Sequence, residues 1–143
     1  SEGEKLMSGA AFSLLTTATD YAQFMLAMLN PVENDPIRLN QESINTMLTP
    51  HNQEKKRPEL TWGLGWGLQH TDAGNAYWHW GGQNDYYNYA VVFPRQRRGV
   101  TILTNTEGGL RVCESIARMA LGIDVPHPAF DWLIPEDDWQ PNG

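Results

Sequence analysis

Between Thr17 and Leu29 the apolar residues return every three or four positions, with Tyr21, Phe24, Met25, Met28 and Leu29 on one stripe. That spacing predicts a helix that buries one face. Thr17 is placed to cap the first-turn N–H groups, and Asp20 sits where a negative charge favours the positive end of the helix dipole. Asn30-Pro31 ends the run. A shorter helix is predicted from Asn40, carrying Ile44, Met47 and Leu48, before Thr49-Pro50 stops it. Residues 51–60, HNQEKKRPEL, read as an exposed loop.

At Thr61 the apolar period changes from 3.6 to 2. In TWGLGWGLQH, Trp62, Leu64, Trp66 and Leu68 alternate with glycines, which predicts one strand with a large face and a bare one. Asp72 to Asn75 is turn chemistry, and AYWHW resumes as a strand. YYNYAVVFP, the turn RQRRG and VTILTN then read as an antiparallel hairpin. Leu110, Val112, Cys113, Ile116, Met119 and Ala120 recur at helical spacing up to Gly122, a helix C-terminal signal. The last twenty or so residues hold four prolines and two tryptophans, and are read as an extended tail laid over a surface. The expectation is an α+β chain: helices, then an antiparallel sheet of about four strands, then one covering helix. It divides into a helical segment 1–60, a sheet and helix 61–122, and the tail 123–143.

Composition narrows the function. At 143 residues and 41% hydrophobic, the chain forms one domain that buries roughly two thirds of its unfolded surface. No apolar run approaches the ~20 residues of a membrane span. A net charge of -7 argues against nucleic acid, which is bound by clustered Lys and Arg. The basic runs Lys55–Arg57 and Arg95–Arg98 read as solvated loop charge. Cys113 is the lone cysteine, so it forms no intrachain disulfide, and its helical register makes it a small core residue rather than a nucleophile. The histidines at 51, 70, 79 and 127 lack the spacing of metal ligands. No metal and no cofactor are therefore expected. The 17 acidic residues include no pair that spacing assigns to glycoside hydrolysis.

The serines are Ser1, Ser8, Ser13, Ser43 and Ser115. None lies in a Gly-x-Ser-x-Gly elbow, and none has a lysine three residues on, since the lysines are Lys5, Lys55 and Lys56. The opening SEGEKLMSG reads as a cloning scar or the interior of a longer protein.

GAAFSLLTTATDYAQFMLAML, TWGLGWGL, WHWGG and YNYAVVFPRQRRGVTILTNTEGG follow one another in an order that resembles the C-terminal part of the serine β-lactamase-like hydrolases: class C β-lactamases, D,D-peptidases and related esterases. The resemblance runs from residue 8 to about 122, and implies part of that fold. In this family an edge strand carries Lys-Thr-Gly, or His-x-Gly in the wider group, as one wall of the active site. The match here is His79-Trp80-Gly81. The resemblance implies that His79 is a polar or proton-transfer partner, that Gly81 lets substrate lie against the strand, and that Gly82 gives one oxyanion-hole N–H. Trp80, Asn84 and Asp85 are the implied substrate contacts. Tyr86-Tyr87-Asn88 has the form of the family's Tyr-x-Asn motif but falls in the following strand, so it reads as sheet.

The resemblance further implies that the Ser-x-x-Lys nucleophile lies N-terminal to Ser1 and that this chain alone is inactive. It implies a small acyl substrate (a β-lactam, a D-Ala-D-Ala peptide or an ester) and a bacterial protein of the periplasm or exterior. The expected partner is the missing N-terminal half or a second copy, joined by dimerisation or strand exchange. The rival reading is a non-catalytic binding or regulatory module, in which Trp62, Trp66, Trp78, Trp80, Tyr86 and Tyr87 form an aromatic platform. For those aromatics, and for a histidine set between two tryptophans, the plain competitor is core packing.

Overall fold

The computed structural model describes residues 9, 11, 13–32, 34–53, 55 and 60–122. The first helix, α1, spans Ala18–Leu29, and the Thr17 hydroxyl accepts the N–H of Asp20 as its cap. Met25 and Met28 are buried, while Phe24 stays half exposed and stacks on Trp66 at 6.2 Å between ring centres. The second helix, α2, spans Gln41–Met47, capped by the Asn40 side chain on the N–H of Ser43, with Ile44 buried.

Six antiparallel strands follow in simple meander order: β1 (Asn52–Gln53), β2 (Leu60–Trp62), β3 (Gly67–Thr71), β4 (Gly74–Gln83), β5 (Tyr86–Phe93) and β6 (Arg98–Thr104). The third helix, α3, spans Gly109–Leu121. The α+β expectation holds, with six strands in place of about four.

Two details differ from the sequence reading. Residues 51–60 do not form a plain loop: Asn52 and Gln53 pair with Trp62 and Thr61, and Leu60 is buried at the start of β2. TWGLGWGLQH is two strands, because the chain turns at Gly63 to Trp66. Gly65 takes a φ of 79°, open to glycine at little cost, and the Gly63 N–H bonds the Trp66 carbonyl at 2.8 Å. Leu64 donates its N–H to the Met47 carbonyl, so the tip of this hairpin is held by the end of α2.

The turn sends the two tryptophans to opposite sides of the sheet. Trp62 joins a core of Leu60, Trp78, Tyr89, Val91, Phe93, Ile102, Cys113 and Ala117 under α3. Trp66 joins Met25, Met28, Ala90 and Val92 under α1. Successive residues of a strand face opposite ways, so one sheet serves both layers. A small apolar gap of about 10 Å³ lies in the α1 layer, lined by residues that include Met25, Trp66 and Tyr77. It has room for one water at most and lacks polar partners for it.

α3 buries Gly109, Cys113, Ala117 and Leu121, a ridge of four-residue steps made mostly of small side chains. That ridge corrects the predicted stripe, since Val112, Ile116 and Met119 remain exposed. Cys113 is fully buried as expected, with its Sγ 3.2 Å from the Gly109 carbonyl. The expected tail, 123–143, lies outside the described residues.

Candidate functional site

β4 is ten residues long, but β3 accompanies it only from Thr71 to Gly67, opposite Gly74 to Trp78. β5 runs beside it as far as Gln83. From His79 to Gln83, one side of β4 therefore has no strand next to it among the described residues.

Which backbone groups face that side follows from the ladder. The β4–β5 hairpin closes over two residues, Asn84 and Asp85, with Gln83 opposite Tyr86. In such a hairpin the closing pair exchanges both hydrogen bonds, and each alternate residue, here Gly81 and His79, turns its N–H and C=O toward β5. An observation from the far side agrees: the Thr104 hydroxyl donates to the Tyr87 carbonyl at 2.5 Å, so that carbonyl points to β6 and away from Gly82, its partner in β4. Trp80 and Gly82 consequently aim their N–H and C=O at the open side.

The side chains alternate the other way. His79 and Gly81 share the sheet face that α1 covers farther along, and both are exposed. A Cβ on Gly81 would meet nothing within 4 Å, so the strand presents a bare shelf there. The His79 ring stands edge to face with Trp62, 6.5 Å between centres, and Trp62 in turn meets Trp78 at 5.1 Å. Gly82 faces the α3 side, where a Cβ would sit 2.7 Å from the Tyr87 ring. Its lack of a side chain thus serves packing as well as access.

Trp80 directs its ring into the α3 layer, half-buried against the core, leaving only its backbone at the open edge. Asn84 and Asp85 form the exposed hairpin tip, with Asn84 at a φ of 53°, in the left-handed region that asparagine tolerates. Tyr86, Tyr87 and Asn88 lie in β5, as their position in the sequence suggested. The Asn88 carboxamide accepts the Thr104 N–H at 3.1 Å, which ties it to β6.

Two contributors escaped the sequence reading. Trp62 stands beside His79 only because β2 turns back into β3. Gly67, the last β3 residue beside β4, leaves space for the Trp78 ring, into which a Cβ would project. The glycine alternation was the available signal for both.

The six aromatics proposed as a binding platform are split between the two faces. Trp78 is 0% and Trp66 5% exposed, Trp62 and Trp80 are half-buried, and Tyr86 is the one that stands largely in solvent. These aromatics do not make a common surface.

A family model described as Beta-lactamase matches residues 2–122. The fold is similar to that in "The crystal structure of penicillin binding protein from Bacillus halodurans", with a TM-score of 0.59 and 22% identity over 70% of this chain. The match covers 29% of that protein's chain, so this chain spans well under half of it. A search of curated proteins gave no significant match.

Proposed function

This chain belongs to the beta-lactamase family, and from that premise we propose that β4 is one wall of a serine acyl-hydrolase site. The observation that carries the reading is the exposed rung at Gly82: its N–H points out of the sheet where β3 has already left. An amide fixed in a ladder is a preorganised donor for a developing oxyanion, and such a donor is worth about 3 kcal/mol in the transition state. Gly81 beside it lets an acyl group lie against the strand. His79, exposed and flanked by Trp62, is the polar or proton-transfer group of this wall. Trp80 contributes through its backbone, and Asn84 and Asp85 touch the ligand at the rim.

No serine here has a lysine three residues on, so the nucleophile comes from residues outside these 143. A β-lactam, a D-Ala-D-Ala peptide or a small ester is the acyl donor. Alone, the chain lacks the group whose loss removes most of the rate enhancement. Its partner is the segment bearing the nucleophile, or a second copy through strand exchange. Nitrocefin turnover and fluorophosphonate labelling of the 143-residue chain should both be absent, and labelling of any of its serines overturns the reading.

Within a polypeptide that also carries a Ser-x-x-Lys segment, Gly82→Pro and Gly82→Ala separate the two demands on this glycine. Both place a Cβ against Tyr87, but only proline removes the N–H. The proline variant should lose a further ~10²–10³ in kcat relative to alanine. Equal activity of the two sinks the oxyanion role.

A further inference from the structure

Gly81 is a glycine that the fold does not require. Gly65 and Gly122 take positive φ angles, and Gly67 and Gly109 make room for close neighbours. Gly81 does neither: its backbone lies outside the left-handed region, and a Cβ on it would meet nothing within 4 Å. A glycine inside a strand weakens the strand, so its place here has another cause. A side chain at this position would stand between the open side of β4 and Asn88, which lies directly opposite in β5 on the same face.

On that face Ala90 and Val92 are buried under α1. Asn88 is only half-buried, with the exposed Gly81 and Leu103 as its cross-strand neighbours. Its carboxamide has one orientation. A backbone N–H can only donate, so the atom 3.1 Å from the Thr104 N–H is Oδ1. The Thr104 hydroxyl holds the Tyr87 carbonyl in turn, so side chains secure this end of the β5–β6 ladder. Asn88 Nδ2 is left with its N–H donors and no acceptor among the described residues. A donor already fixed in direction and partly withdrawn from water binds an acceptor at lower entropic cost than a free side chain does.

We propose that Asn88 determines specificity in the acyl-hydrolase site. Its Nδ2 donates to a carbonyl oxygen in the acyl portion of the substrate, reached across Gly81 while the reacting carbonyl lies at the Gly82 N–H. The inference rests on the reading of β4 as an active-site wall. Neighbouring strands stand about 4.8 Å apart, a gap that an acyl substituent about three or four atoms long spans. The favoured substrates are therefore acyl donors with an amide carbonyl at that distance, over alkyl chains of the same length. Asn88 touches the substrate but takes no part in bond making.

Asn88→Asp and Asn88→Ala separate the anchor from the donor. Aspartate keeps an oxygen for the Thr104 N–H and loses the N–H donors, whereas alanine loses both. In the 143-residue chain the alanine variant should have the lower urea midpoint of the two. An aspartate variant no more stable than alanine overturns the fixed orientation, and the proposal with it. Specificity is read in a polypeptide that also carries a Ser-x-x-Lys segment, using phenyl N-acetylglycinate and phenyl pentanoate. These esters share a leaving group and an acyl chain length and differ in the amide. The parent should prefer the acetylglycinate in kcat/KM, and Asn88→Asp should reduce that preference about tenfold. An unchanged preference overturns the role of Asn88 and leaves the wall reading standing; a parent that cleaves neither ester overturns both.

Discussion

Cys113 shows how a residue's chemistry is set by where its helix lands. Fully enclosed beneath α3, its thiol is pushed up to about 11 from the ordinary 9.0 by burial. The neutral thiol is the form the fold accepts, so this contribution to stability is complete below the unfolded value and is lost as pH rises from there through the folded one. Iodoacetamide near pH 8 should therefore modify the native chain only as fast as it opens, and modify it quickly in denaturing urea. Rapid stoichiometric labelling of the native chain would contradict the burial. Gly67 makes a second case. A Cβ there enters the Trp78 ring, whose displacement disturbs Trp62 and the face of His79. Gly67→Ala should cost about 1–3 kcal/mol in urea unfolding, and a variant within 0.5 kcal/mol of the parent would show that the ring has room to move. The role of Cys113 was legible from helical spacing, but that of Gly67 was not, because a glycine in a strand pattern does not reveal which ring it accommodates.

At the scale of elements, legibility followed the local signals. α1 begins where Thr17 and Asp20 indicated, and its hydroxyl cap is present at 3.1 Å. Thr17→Ala should lower stability by about 1 kcal/mol, read as a shift in the urea midpoint at unchanged slope; an unshifted midpoint would mean that this end of α1 frays in the native state. The β2–β3 hairpin was misread for a physical reason. Trp62, Leu64, Trp66 and Leu68 keep a period of two straight through the turn, and periodicity alone cannot register a reversal at Gly65. The α3 stripe was misread in a different way. Its apolar residues outnumber those the sheet covers, and spacing identifies an apolar arc without saying which part meets the sheet. In the candidate site, the placement of His79, Gly81 and Gly82 on one strand was legible. The direction of each amide was not, because it depends on where the neighbouring strands stop.

Over the whole molecule, one sheet separates two apolar layers, and considerable apolar surface lies outside both. Leu14, Leu15 and Ile37 are exposed in the first third of the chain, and no strand pairs with the outer side of β6 among the described residues. Surface of this kind drives association. The chain should bind ANS and sediment as a dimer or larger species at micromolar concentration. A monodisperse monomer without ANS binding would speak against an incomplete fold. Among the described residues no helix is long and apolar enough to cross a membrane.

The early end of β3 also works as a ruler. The chain reverses at the Gly63–Trp66 turn, so β3 stands beside β4 only as far as Gly67, and the number of β4 residues left uncovered is set by the position of that turn. Two residues inserted on each side of the Gly63–Trp66 turn would carry the hairpin one rung farther, opposite Trp80, and cap the amide there. Four would reach Gly82. The width of the opening is thus encoded in a turn far along the sequence from His79, and relatives with different hairpin lengths would differ in how much of this strand they leave open without changing a residue on it.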